Sequence, residues 1–208
     1  MSEHLPGRLV SRLLQAPPVS GDWPVAAVLV LLEGGEGEAT VLLTRRAAHL
    51  RLHAGEIAFP GGKCDETDAD HWATALREAD EEIALPAARV EPLGVMAPLV
   101  TRTGIEVIPC VARLRDAVEY RPNPDEIDSV FSVPVSFFAA AGNLQFDDFD
   151  YAGRTRRVPR YEWGEHSIWG ITAAVLVQLA NLACDAGLEL ESYWIGGQDT
   201  PAGDENFN

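Results

Sequence analysis

Eight consecutive apolar residues, Val25 to Leu32 (VAAVLVLL), constrain the fold more than any other feature of the chain. In an extended strand, successive side chains point to opposite faces. An unbroken apolar run therefore reads as a strand covered on both sides.

The rest of the sequence offers both partner strands and covers. A turn at Glu33-Gly34-Gly35-Glu36-Gly37 returns the chain as a second strand, Val41 to Thr44. Ile57-Ala58-Phe59 reads as a strand end, stopped by a bend at Pro60-Gly61-Gly62. Asp70 can cap a helix that starts at His71, with Trp72, Ala75, Leu76, Ala79 and Ile83 on one face. Pro86 ends it. Two strands, Val90 to Leu99 and Ile105 to Leu114, flank Thr101-Arg102-Thr103-Gly104. A short strand at Ser129 to Val133 leads through Pro134 into a helical turn over Val135 to Ala140. A hairpin over Phe146 to Tyr151 and Val158 to Trp163 precedes a final helix, Ile168 to Ala186, apolar on most of its surface. Strands interleaved with two long helical patterns predict one mixed α/β domain over residues 25–190. Residues 1–24 form an expected N-terminal helical extension, with an amphipathic helix at Leu9 to Leu14 before the Pro17-Pro18 break. Residues 191–208 are an expected disordered acidic tail.

The 208 residues carry a net charge of −16, which argues against a polymeric nucleic-acid partner or an anionic membrane surface. No apolar run approaches the ~18–20 residues of a membrane span. The Met1 end has no signal-peptide core, and Asn206-Phe207-Asn208 matches no targeting address. Cys64, Cys110 and Cys184 show no metal-ligand spacing, and a sparse, odd count suits a reducing compartment. The expectation is a soluble cytoplasmic protein, monomer or homodimer, with no zinc site.

The charge is concentrated. Residues 56–82 hold nine acids against two bases, and residues 189–208 hold five acids and no base. Within the first stretch Glu78, Glu81 and Glu82 fall at i, i+3 and i+4, on one face of the predicted helix. Like charges at that spacing repel, and a hard divalent cation such as Mg²⁺ or Mn²⁺ can reverse the cost. A merely solvated acidic face is the competing reading. Gly61 and Gly62, just upstream, would let backbone approach an ion or ligand closely.

Gly61-Gly62-Lys63 followed by Arg77-Glu78-Ala79-Asp80-Glu81-Glu82-Ile83-Ala84-Leu85 resembles the Nudix box, GX5EX7REUXEEXGU. Three departures stand out: Asp68 at the first glutamate position, one extra residue before Arg77, and Ala84 in place of the late glycine. Directly upstream, Leu42-Leu43-Thr44-Arg45-Arg46-Ala47, Arg51, Gly55 and Phe59-Pro60-Gly61-Gly62 resemble the LLTxR[SA]x3Rx3Gx3FPGG motif of coenzyme A pyrophosphatases within that superfamily.

The resemblance implies a Nudix α/β/α sandwich with a mixed β-sheet. It also implies metal-dependent hydrolysis of coenzyme A or acyl-CoA to 3′,5′-ADP and (acyl-)4′-phosphopantetheine. Glu78, Glu81 and Glu82 are the implied Mg²⁺ or Mn²⁺ ligands, with Glu56 as a further ligand or base. Arg77 would orient the glutamates, and Glu126 could serve as ligand or base. Arg46, Arg51, Gly61, Gly62 and Lys63 are candidates for binding the small-molecule substrate. Arg154, Arg156, Arg157 and Arg160 could clamp a 3′-phosphate, although a solvated hairpin face is the simpler expectation. His53 lies in the variable part of the upstream motif. A Nudix enzyme for another nucleoside diphosphate derivative, or a non-catalytic nucleotide-binding relative, remains open at this point.

Overall fold

The apolar run becomes strand β1 (Val25–Glu33), the centre of an eight-stranded mixed sheet. The computed structural model describes residues 9–17, 24–34, 38–151 and 154–190. On one side β1 runs parallel to β7 (Glu106–Leu114), in register from Val25↔Glu106 to Leu32↔Arg113. Its other edge is shared between two antiparallel partners. The end of β1 pairs with β2 (Thr40–Arg46), and its start pairs with β4 (Gly61–Lys63). Beyond β2 lies the two-residue strand β3 (Ile57–Ala58), and β5 (Val90–Val95) and β6 (Leu99–Val100) both pair with β7. Strand β8 (Ile127–Pro134) adds to β2.

Alternation along β1 explains why the run is apolar throughout. Ala27, Leu29 and Leu31 pack with Ala75, Ala79, Ile83 of helix α1 (His71–Ile83) and with Leu85. Val30 and Leu32 join a second core with helix α2 (Val135–Ala139) and helix α3 (Gly170–Cys184). The result is an α/β/α sandwich. A second sheet, β9 (Gln145–Tyr151), β10 (Arg154–Trp163) and β11 (His166–Trp169), contributes Tyr161 and Ile168 to the α3 side.

Several expectations need correction. Gly61 and Gly62 do not bend away from the sheet; they form β4, because β1 offers them a free edge and they carry no side chain that would collide with it. The expected strand Val90 to Leu99 is broken between Val95 and Leu99, at residues 96–98, where Pro98 has no amide to donate. The last helix begins at Gly170 rather than Ile168, since Ile168 pairs with Tyr161 in β11. Near the N-terminus only Leu9 and Val10 are helical among the described residues, and Leu14 forms a bridge with Val95. Leu9 and Leu13 are buried in the α3-side core, and Arg12 reaches Asp185. The acidic tail expected over 191–208 and the second proline of the Pro17-Pro18 break lie outside the described residues.

Helix α1 is capped as its sequence requires at one end and is strained at the other. The Asp70 side chain accepts from the Ala73 amide at 2.8 Å. At the C-terminus Ala84 occupies the left-handed region (φ 56°, ψ 42°), where a Cβ is unfavourable and glycine is the usual residue. Ala84→Gly is expected to stabilise the protein by about 1 kcal/mol and to raise Tm by roughly 2–4 °C, read by thermal melting.

Candidate active site

The split edge of β1 creates the site. Where β2 and β4 diverge, β4 presents the Gly61 amide to α1, and it donates to Glu82 Oε2 at 3.2 Å. Gly62 faces Glu78: a Cβ there would stand 2.5 Å from the Glu78 carboxyl carbon. A side chain at Gly61 would collide with the β1 backbone, and one at Gly62 would displace the Glu78 carboxylate.

Arg77 organises the rest of the acidic face. Its Nε and Nη2 each donate to Asp68 at 3.0 Å, a two-pronged pair, and its Nη1 lies 2.9 Å from Glu78 Oε1 and 3.2 Å from Glu81 Oε2. Asp68 also accepts from the Asp65 amide at 3.0 Å and the Thr74 hydroxyl at 2.8 Å. The Arg77 guanidinium first, then these two donors, hold the Asp68 carboxyl well below the usual carboxylate range. Asp68, seen in the sequence only as a departure from the motif, therefore fixes the arginine that aligns two glutamates. Because Arg77 is used as a rigid fork, lysine cannot replace it. Arg77→Lys is expected to weaken activating metal by about 10–100-fold, read as the Mn²⁺ concentration for half-maximal activity.

Glu82 is 2% exposed. Burial pushes its carboxyl up to about 8, with the charges of Glu78 and Glu126 adding to the shift; the Gly61 amide and Arg46 oppose it. Arg46, at the end of β2, brings Nη1 to 3.8 Å from Glu82 Oε1 while its buried Nε has no hydrogen-bond partner. Glu126 comes close through a strap over residues 115–126. The Asn123 amide donates to the Glu82 carbonyl at 2.8 Å and the Arg121 amide to the Ile83 carbonyl at 3.0 Å, so the strap also satisfies the last carbonyls of α1. The Glu126 carbonyl accepts from the Ala47 amide at 2.8 Å, and Tyr120 anchors the strap by donating to Glu33 at 2.7 Å.

The donor set suits a hard cation. Glu78 and Glu82 are oxygen donors held close together, Glu126 is electrostatically within reach, and a cation would offset the burial that raises the Glu82 carboxyl despite Arg46. Glu81 is half exposed at the rim, tied to Arg77. Among the described residues no three such side chains are already gathered at metal-ligand spacing.

Other expected residues fall elsewhere. Glu56 pairs with His53 at 2.9 Å and lines a cavity with Arg45, Ala54, Gly55, Ile57, Glu165, His166, Ser167 and Trp169. Arg51 is exposed in a bend, and Lys63 is exposed at the end of β4. Of the hairpin arginines, Arg157 stacks over Phe146 at 4.5 Å and Arg160 pairs with Asp147 at 2.9 Å. The side chains of Arg154 and Arg156 lie outside the described residues. The strap, Tyr120 and Asn123 had no signature in the sequence, because their contacts are mostly made by backbone.

Comparison with known proteins gives a match to the NUDIX domain family over residues 23–150. The uncharacterized Nudix hydrolase NudL of Photorhabdus laumondii is 43% identical over 141 residues, spanning 68% of this chain and 75% of the relative. The NudL of Escherichia coli K12 is 41% identical over 140 residues, spanning 67% and 73%. Among solved structures, an Ap4A hydrolase of C. elegans in a binary complex overlays with a TM-score of 0.44 at 21% identity, covering 53% of this chain and 80% of that one. A MutT/nudix family protein of Enterococcus faecalis overlays with a TM-score of 0.48 at 16% identity, covering 81% and 64%.

Proposed function

We propose, from the premise that the chain belongs to the NUDIX domain family, that this pyrophosphohydrolase cleaves the pyrophosphate of coenzyme A or acyl-CoA. The products are 3′,5′-ADP and (acyl-)4′-phosphopantetheine. Water adds to one phosphorus, the bridging P–O bond breaks, and both halves leave as phosphomonoesters.

The observation that carries the substrate assignment is where the upstream motif folds. It supplies β2, β3 and β4, with Thr44 Oγ1 donating to the Ala58 carbonyl at 3.1 Å, and it delivers Arg46 to within 3.8 Å of Glu82. The segment that resembles the motif of coenzyme A pyrophosphatases thus adjoins the acidic helix, which supports this reading. In this reading Glu78, Glu81 and Glu82 hold Mg²⁺ or Mn²⁺, and Arg77 keeps the first two oriented. Bound there, the cation would neutralise pyrophosphate charge and make a water more acidic. Arg46 binds a phosphate oxygen through its guanidinium. Glu126, beside Glu82, accepts the proton of the attacking water or completes the ligand set. Lys63 and Arg51 meet the outer phosphates, and Glu56 serves the substrate side. No helix among the described residues is long and apolar enough to cross a membrane, and the proposed setting is the cytoplasm.

The test is a product assay with Mg²⁺ or Mn²⁺ on coenzyme A, acyl-CoA, ADP-ribose, NADH and dNTPs. The expected result is 3′,5′-ADP from coenzyme A at the highest kcat/KM. Preferential turnover of another nucleotide, without 3′,5′-ADP, overturns the coenzyme A assignment.

A further inference from the structure

Consecutive arginines on β2 face opposite ways. Arg46 points to Glu82; Arg45 instead lines the cavity of about 290 Å³ on the other side of the sheet edge. That edge is narrow, because β3, the outermost strand here, has only two residues. A bulge in the β2–β8 ladder at Arg45/Arg46 leaves Asp128 as the extra residue, and Asp128 lies 3.9 Å from Arg45. Bulges of this kind re-aim side chains beside binding sites.

The walls of the cavity are planar and polar. Trp169 lies 48% exposed, and the His166 ring is stacked on Phe131 with centroids 4.0 Å apart and planes 9° from parallel. Glu56 stands on the β3 wall and Glu165, in the turn before β11, on the other, with Ser167 between His166 and Trp169 in the chain. Two flat faces favour a flat ring system. Carboxylates accept from an exocyclic amine and reject a carbonyl at the same position. The volume is at the small end of ligand cavities, closer to a base than to a long flexible chain.

Resting on the proposed pyrophosphatase reading, we infer that this cavity holds the base of the nucleotide half of the substrate, an amino-bearing purine stacked on Trp169 with its exocyclic amine on Glu165 or Glu56. The sugar and phosphates then turn over the β3 edge, past Arg45, to reach Arg46 and the acidic helix. The other half of the substrate leaves by the opposite side.

The experiment measures binding of AMP, IMP and 4′-phosphopantetheine to the full chain, with Trp169→Ala and Glu165→Ala as variants and melting curves to confirm folding. Both positions are exposed, and Trp169→Phe serves as a fold-preserving second variant that keeps a ring. AMP is expected to bind more tightly than IMP, and to weaken about tenfold in Trp169→Ala, with partial recovery in Trp169→Phe. Glu165→Ala should narrow the gap between AMP and IMP. 4′-Phosphopantetheine binding should not move. Unchanged AMP affinity in both alanine variants, or a loss of 4′-phosphopantetheine affinity instead, overturns the inference. If the coenzyme A reading fails and another adenine nucleotide is the substrate, the AMP measurements still report on the cavity, so the two failures are separable.

Discussion

Glu82→Gln is expected to lower kcat by about a thousandfold while leaving the metal-free protein as stable as before, or more so. The Glu82 carboxyl is buried, accepts one amide hydrogen bond from Gly61, and is pushed up to about 8 by that burial and by Glu78 and Glu126. Without metal it is therefore largely protonated at neutral pH, and glutamine is nearly isosteric with the form present. A folded-state value above the ordinary 4.5 means that the group's contribution to stability is full below pH 4.5 and is lost as pH rises through about 8. The metal-free wild type should lose stability across that window, and the glutamine variant should show a flatter profile and melt higher above pH 8. Adding Mn²⁺ should reverse the order, because only the wild type gains stability from binding. In the proposed ligand set a metal displaces a proton from Glu82 below pH 8, so wild-type affinity is expected to rise with pH up to that point. Melting curves with and without Mn²⁺, together with kcat at saturating Mg²⁺, check all of this. Wild-type turnover in the variant would sink the role given to Glu82.

Two adjacent glycines should fail in different assays. A Cβ on Gly61 would lie 2.7 Å from Val28 Cα, against backbone that cannot yield. Strand β4 would have to leave β1, losing the pairings Ala26↔Lys63, Ala27↔Gly62 and Val28↔Gly61 and the amide bond to Glu82. Gly61→Ala is expected to destabilise by about 3 kcal/mol or more, a large part of the roughly 5–15 kcal/mol that holds a domain together. A Cβ on Gly62 meets instead the end of the Glu78 side chain, which can swing aside. Gly62→Ala should therefore fold with a Tm near that of the wild type and lose at least about tenfold in activity through a displaced carboxylate. Denaturant melts and initial rates on the two variants separate these effects. An unchanged melt for Gly61→Ala would refute the β4–β1 pairing.

These glycines also show what could be read from the chain before it was folded. The two-sided burial of Val25 to Leu32 and the amphipathic helix from His71 follow from periodicity, a local property. Pro60-Gly61-Gly62 carries the local signature of a bend, and Pro60 does bend, yet the free edge of β1 recruits Gly61 and Gly62 into a strand. Ile168 is apolar and precedes a helix, yet it is claimed by Tyr161 across a hairpin. Glu78, Glu81 and Glu82 were visible because helical spacing aligns them. The approach of Glu126 was visible only by resemblance, since the strap that carries it has neither apolar period nor turn signature and is held by backbone bonds to the end of α1. Asp68 appeared as an exception to a motif, and its partner Arg77 supplies the reason it works.

The parallel pairing of β1 with β7 has a consequence for how the molecule comes into being. Val25 finds Glu106, and Leu32 finds Arg113, only after the intervening hairpin, β4 and α1 have been synthesised. Non-local pairing of this kind slows folding, since chain entropy is spent before the contacts repay it. Until β7 arrives, the central strand exposes one whole edge, and the face that α1 must cover lacks Ile108, Cys110 and Ala112. Nascent or refolding chains should therefore acquire local helix and hairpin structure early and assemble the acidic site in the last, slowest step. In that interval the bare edge of β1 makes the chain most prone to aggregation.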